Sequence, residues 1–246
     1  MYYFASDVHL GAGSEQEARR TEQAFLRWLD MAANDAETIF LVGDIFDFWF
    51  EYGHVVPQGF VRTLGKLAQL TDKGINIKLI TGNHDMWCRN YLQKECGVEV
   101  IFTPQHYTLS GREIFIAHGD NMNIGGKPLL QLMNSCFRSK FLRVIFSWLV
   151  HPDLTMRFGK WWSNKSRQSH PKPSTVESLD FLIDYAVDYK TKNPQTEIAL
   201  FGHLHLGHAT ERDGLQIVFL SDWTDEEISY ATLDKEGNIK LNTFNR

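Results

Sequence analysis

Residues 38–44, TIFLVGD, decide the architecture of this chain. Five apolar or β-branched residues follow one another without helical periodicity, and the run stops at a glycine and an aspartate. Such a run reads as a strand buried on both faces, the pattern of a parallel sheet covered by helices. The same plan stands on either side. YYFASD (2–7) is a short apolar run ending in polar residues, and SEQEARRTEQAFLRWLDMAAND (14–35) then sets Phe25, Leu26 and Leu29 on one helical face. INIKLITGNHD (75–85) repeats the strand after GFVRTLGKLAQLTDKG (59–74), a helix with Gly74 placed to end it. Parallel strands need crossovers of this length, so the expectation is an α/β fold.

Further along, EVIFTP (99–104), YTLSG (107–111) and EIFIAHGD (113–120) read as shorter strands, the last two joined at SGR. STVESLDFLIDYAVDYKTK (174–192) reads as a helix capped by Ser174 or Thr175. EIALFGHLH, LQIVFLSDW, ISYATLD and NIKLNTF complete the chain as strands, with KEGN (235–238) as a turn. No repeat, low-complexity tract or linker interrupts the 246 residues, which predicts one domain over 1–246 with a helical insertion at about 127–172.

A chain of this size buries about 70–75% of its unfolded surface. Hydrophobic residues at 43% and charged residues at 22% are those of a folded globular protein. Three scattered cysteines form no CxxC pair, which argues against a disulfide framework or a thiolate zinc site and for the reducing cytosol. No secretory signal is expected in MYYFASDVHL, and FLRVIFSWLV (141–150) is too short to span a bilayer. Between Lys127 and Lys172 nine lysines and arginines stand against Asp153 alone, a net of +8 that leaves −13 for the rest of a chain whose total is −5. Bulky apolar side chains are interleaved with those cations. That mixture suits an amphiphilic, anionic partner such as a bilayer surface and disfavours nucleic acid, and no obligate protein partner is indicated.

Five clusters of metal-capable residues stand directly after apolar runs: SDVH (6–9), GD (43–44), GNHD (82–85), HGD (118–120) and GHLH (202–205). Taken singly, Asp7 serves as well for a cap, Asn83 for a turn and His118 for a core imidazole. Together they converge, because ligands in open α/β sheets collect beyond the carboxyl ends of strands. Carboxylates gathered there need a cation, and a metal site is expected.

In this order, DxH, GD, GNHD, HGD and GHxH resemble the signature of the calcineurin-like metallophosphoesterases, over Asp7 to His205. The resemblance implies a β-sandwich flanked by helices and two divalent cations. One would be held by Asp7, His9, Asp44 and His205, the other by Asp44, Asn83, His118 and His203. Manganese is the expected metal, with iron(II) or zinc as alternatives for mixed nitrogen and oxygen ligands. His84 would act on the leaving oxygen as a general acid or a transition-state hydrogen-bond donor, oriented by Asp85. His54, His106, His151, His170 and His208 lack strand-end context and are read as surface or loop residues.

Within that superfamily the chain is similar to bacterial UDP-2,3-diacylglucosamine diphosphatases in size, in GDIFDFWFE (43–51) and in its helical insertion, though it carries His84 where the best-known members carry Arg. The resemblance implies cleavage of a nucleotide-linked lipid to UMP and a lipid monosaccharide phosphate in lipid A biosynthesis, at the cytoplasmic face of the inner membrane. Insertion residues Arg157, Lys160, Lys165 and Arg167 would meet phosphate oxygens, its apolar residues would wall acyl chains as a lid, and Trp49 would stack a base or sugar. Alternatives are a soluble phosphodiesterase or phosphomonoesterase and a catalytically silent interaction module.

Overall fold

The computed structural model describes residues 1–122, 128–169 and 175–246. In chain order the elements are β1 (Tyr2–Ala5), α1 (Glu15–Ala32), β2 (Thr38–Leu41), α2 (Val61–Asp72), β3 (Asn76–Ile80), α3 (Tyr91–Cys96) and β4 (Glu99–Ile101). A hairpin follows, β5 (Gln105–Leu109) and β6 (Arg112–Ala117), then the helices α4 (Pro128–Arg138), α5 (Lys140–Leu149) and α6 (Pro152–Ser169). A 3₁₀ turn (Val176–Leu179) leads into α7 (Asp180–Lys192), and β7 (Ile198–Phe201), β8 (His208–Arg212), β9 (Leu215–Phe219), β10 (Glu227–Leu233) and β11 (Ile239–Asn245) end the chain.

Two mixed sheets result, β11-β10-β1-β2-β3-β4 and β5-β6-β7-β9-β8. The strands β1 to β4 are parallel in the first, as β6, β7 and β9 are in the second. Side chains on a strand alternate between faces, and here both faces are covered. Phe4, Phe40 and Ile80 of one sheet meet Ile116, Leu200 and Val218 of the other in a shared core. The intervening Ala5, Ile39 and Leu79 point the opposite way, toward α1, α2 and α3. Phe115, Ala199 and Ile217 likewise face α7. Burial on both sides is why TIFLV and IALF read as unbroken apolar runs.

Local chemistry sets the element ends. Ser14 accepts the Glu17 amide at 3.3 Å while the Glu17 carboxylate accepts the Ser14 amide at 2.8 Å, a capping box that opens α1. Gly74, at φ +88°, stands just past the Lys73 cap of α2 in the left-handed conformation expected of it. The turn at Ser110 and Gly111 has positive φ at both residues, which matches the twist of a two-residue hairpin.

Some expectations change. The cap expected before α7 is absent at Thr175, whose side chain bonds no backbone amide; the chain tightens into a 3₁₀ turn and Ser178 donates to the Thr175 carbonyl instead. Ser174, Lys127 and Lys172 lie outside the described residues. Strand β8 and the short helix α3 carry no strong sequence pattern, since β8 is an edge strand with no fully buried residue. Among the described residues no helix is long and apolar enough to cross a membrane.

Phe40 stacks on Phe4 with ring centroids 5.1 Å apart, in register across β1 and β2. Phe40→Ala is expected to cost about 3–5 kcal/mol, because a rigid two-sheet core closes poorly over the space left. Urea unfolding checks this; a midpoint within error of the parent would contradict it.

Candidate metal centre

Every expected ligand sits just past the carboxyl end of a strand. Asp7 and His9 follow β1, Asp44 follows β2, Asn83 follows β3, His118 follows β6, and His203 and His205 follow β7. Because both parallel sets end on the same side, the two sheets bring these loops to one seam. Backbone bonds lock them: the amides of Asp7 and His9 donate to the carbonyls of Gly43 and Asp44, each at 3.0 Å, and the Gly202 amide to His118 at 3.0 Å. The His203 amide crosses between the sheets to donate to Asp7 Oδ2 at 2.9 Å.

Five of the seven residues have left-handed backbone: Asp7 (φ 54°), His9 (49°), Asp44 (54°), His203 (69°) and His205 (59°). Each such residue costs roughly 1–2 kcal/mol when it carries a side chain, so their concentration here marks a functional site. The gain is geometric, since the turn points a ligand back across the strand end. Two glycines make room. A Cβ on Gly43 would lie 2.4 Å from His118 Nδ1, and one on Gly82 would lie 2.2 Å from Asp44 Oδ1.

The electrostatics are those of buried carboxylates among imidazoles. Burial alone would raise the Asp7 and Asp44 carboxyls, yet nearby histidines, His118 foremost, hold both below the usual carboxylate range. Burial would likewise depress His118, but Asp44, 3.2 Å from its Nε2, holds it well above an ordinary histidine. His205 is lifted to about 10 against its burial by hydrogen bonds with Asp222 and Asp7. His9 and His203, with burial and a neighbouring imidazole acting together, fall to about 4. Burial followed by repulsion from Asp44 raises Asp85 to about 7.

The donor set fits divalent cations. Asn83 Oδ1 is buried with no hydrogen-bond partner, a costly state for a polar atom unless something else binds it, and Asp7 Oδ1 and His118 Nε2 have nothing closer than His205 and Asp44, each at 3.2 Å. His9 Nε2 and His205 Nε2 face each other at 3.3 Å. Ligand atoms of Asp7, His9 and His205 lie within 4.8 Å of one another, as do those of Asp44, His118 and His203. The His118 Nδ1–H donates to the Val42 carbonyl at 2.9 Å, which fixes the tautomer that frees Nε2.

The family model described as calcineurin-like phosphoesterase matches residues 2–207. The chain belongs to the calcineurin-like phosphoesterase family. It is 35% identical to a UDP-2,3-diacylglucosamine hydrolase of Porphyromonas gingivalis, over 94% of this chain and 93% of that one. It is 30% identical to a protein of the same name from Histophilus somni, over 82% of this chain and 83% of that one.

In this phosphoesterase, His84 enters the centre with its backbone amide on Asp44 Oδ1 at 2.8 Å and its Nε2 3.8 Å from Asp44 Oδ2. Asp85 does not orient it as expected. The Asp85 carboxylate is taken up by the amides of Ile45 and Gly82, at 2.8 and 2.7 Å, and the His84 Nδ1–H donates to the Asp47 carbonyl at 2.6 Å. Trp49 is corrected too: it is fully buried in the helix-facing core with its indole N–H on Glu51, so no base or sugar can stack on it. Arg157, Lys160 and Lys165 are exposed on α6, Lys165 lying 5.1 Å over the Trp161 ring, and the Arg167 side chain lies outside the described residues.

Sequence reading missed two residues. Asp222, past the end of β9, lies 3.4 Å from His205 Nδ1 and leaves Nε2 toward Asp7. Its signal was the same as the others, an apolar run leading into SD. Asp47 had none, being one polar residue inside FDFWFE.

Metal uptake must displace the protons these imidazoles hold. At about pH 8 His205, lifted to about 10, is protonated while His9 and His203 are neutral, so uptake is expected to release about one proton from His205 and to strengthen as pH rises toward 10. Calorimetric titration of manganese into the metal-free protein, in two buffers of different ionisation enthalpy, measures this. Heats that do not depend on the buffer would contradict the assignment.

Proposed function

We propose that this phosphoesterase hydrolyses the diphosphate of UDP-2,3-diacylglucosamine to UMP and a lipid monosaccharide 1-phosphate, a step of lipid A biosynthesis. The observation that carries the reading is the near full-length identity to relatives of that name. Asp7, His9, Asp44 and His205 would hold one cation and Asp44, Asn83, His118 and His203 the other, with manganese preferred over iron(II) or zinc. When bound, such a pair supplies a water of lowered pKa and neutralises charge on the phosphoryl oxygens. His84, fixed through Nδ1, keeps Nε2 toward the centre and carries the proton for the leaving oxygen. Asp85, bonded to Gly82 and Ile45, holds the loops that present Asn83, His84 and Asp44.

A cavity of about 200 Å³ supports a lipid substrate. Phe48, Phe50 and Trp87 of the loops after β2 and β3 form one wall, and Phe137, Phe146 and Phe158 of the insertion form the other. Its lining is almost wholly apolar, which suits an acyl chain better than a nucleotide or a protein loop. Arg157, Lys160, Lys165 and Arg167 share helix α6 and would meet the phosphates. UMP release from the acylated UDP-sugar, run beside bis(p-nitrophenyl) phosphate, tests the reading. Turnover of the simple diester with no UMP from the lipid would favour a phosphodiesterase with another substrate.

The domain reading puts the insertion on a single phosphoesterase domain, where it also provides the membrane contact. No residue of α5 is buried, and Phe141, Trp148 and Leu149 are 72%, 86% and 80% exposed. With Lys140 and the exposed cations of α6, this face would rest on anionic lipid at the cytoplasmic side of the inner membrane. Co-sedimentation with phosphatidylglycerol vesicles is expected at low salt, falling as salt rises and severalfold weaker for Trp148→Ser. Absence of binding at low salt would remove this part of the proposal.

A further inference from the structure

We infer that Asp47 is a positioning residue through which helix α6 of the insertion fixes the His84 imidazole. The inference rests on the reading of His84 as proton donor.

Helix α6 presents Thr155, Gly159 and Ser163, each four residues from the next, so they form one face. All three are buried. The face is shaped for close approach: a Cβ on Gly159 would lie 2.2 Å from the Phe48 ring, so a bulkier residue would push the helix away. Thr155 Oγ1 lies 2.5 Å from the Tyr52 hydroxyl, which also donates to the Val150 carbonyl at 3.1 Å. Ser163 completes the seat by donating to Asp47 Oδ1 at 2.6 Å.

Asp47 turns this contact inward. It is 5% exposed, and its amide donates to the Leu10 carbonyl at 3.0 Å, in the loop that carries His9. Its own carbonyl accepts the His84 Nδ1–H at 2.6 Å, and its carboxylate lies 3.8 Å from His9 Nδ1. One residue therefore grips the insertion with its side chain and the imidazole with its backbone. A second tie runs parallel, since the Trp49 amide donates to the His84 carbonyl at 3.0 Å. The loop after β3 is also held from the insertion, by the Trp87 indole on the Phe137 carbonyl at 2.8 Å and the Arg143 guanidinium on the Cys88 carbonyl at 3.0 Å. An insertion that only walled the acyl chain would need no bond to the residue that holds His84.

The deciding variant is Ser163→Ala in the full chain, assayed with manganese on diphenyl phosphate, which has no acyl chain to bind and whose phenolate leaves poorly unless it is protonated. Positioning predicts a fall in kcat of about tenfold with KM and metal content unchanged, recovery in Ser163→Thr, and no further loss when Ser163→Ala is added to His84→Ala. A role confined to the lipid tail predicts an unchanged kcat on this diester, and that result overturns the inference. If His84→Ala lowers kcat while Ser163→Ala does not, the proton donor stands and the coupling fails; if His84→Ala leaves kcat intact, both fail. A readout free of turnover and metal comes from the His84 Nδ1–H proton resonance of the metal-free protein. Its exchange with solvent should quicken severalfold in Ser163→Ala and return to the parent rate in Ser163→Thr. Unchanged exchange in a folded Ser163→Ala protein would also overturn the inference.

Discussion

Two carboxylates buried at the seam between two sheets constrain the rest of this molecule. Asp7 and Asp44 are at most 1% exposed, and among the described residues their ion-pair partners are all histidines. Taking a carboxylate out of water costs several kcal/mol even after the surroundings relax. Fixed lysine or arginine charges would offset that cost permanently and leave no place for a cation. Imidazoles offset it only while they are protonated, and they give up that proton to a metal. The same side chains can thus stabilise the metal-free chain and bind metal, which a permanent cation would prevent.

That arrangement demands a rigid scaffold, because it is strained. Left-handed backbone at five of the expected ligand positions and an unpartnered buried oxygen on Asn83 oppose folding. Strain of this kind persists only where the surroundings over-determine it. Here a core shared by both sheets and helices on each outer face hold the strand ends, and backbone hydrogen bonds from one loop to the next fix the exits. The bond from the His203 amide to Asp7 joins the sheets at the point where chemistry needs them joined.

How much of this was legible in the sequence follows from the same physics. Unbroken runs such as TIFLV announce strands covered on both faces, and Asp, Asn and His at their ends announce a site, because few other reasons place such residues at five exits. Asp222 belonged to the same grammar and was passed over, since a single aspartate in LSDW reads equally as a turn. Trp49 was misread for the opposite reason: an aromatic near a site is legible as a residue type, while the side to which it points depends on the packing of Phe46 and Phe60 around it. The contact with the His84 ring was misassigned to Asp85 because neighbours in sequence need not be neighbours in space. Asp85 adjoins His84 along the chain, yet Asp47 reaches its ring.

On the proposed reading, helix α6 would serve binding and chemistry together. Gly159 and Ser163 face the loop after β2, while Thr155 and Phe158 line the cavity. Residues one position apart on a helix point about 100° apart, so a helix that lies between two surfaces meets both without compromise. Filling the cavity and holding Asp47 are therefore loads on the same rigid body. A tail that seats α6 firmly would also steady the loop beneath it, so energy from a remote part of a substrate would reach the reacting end as orientation rather than as tighter binding alone.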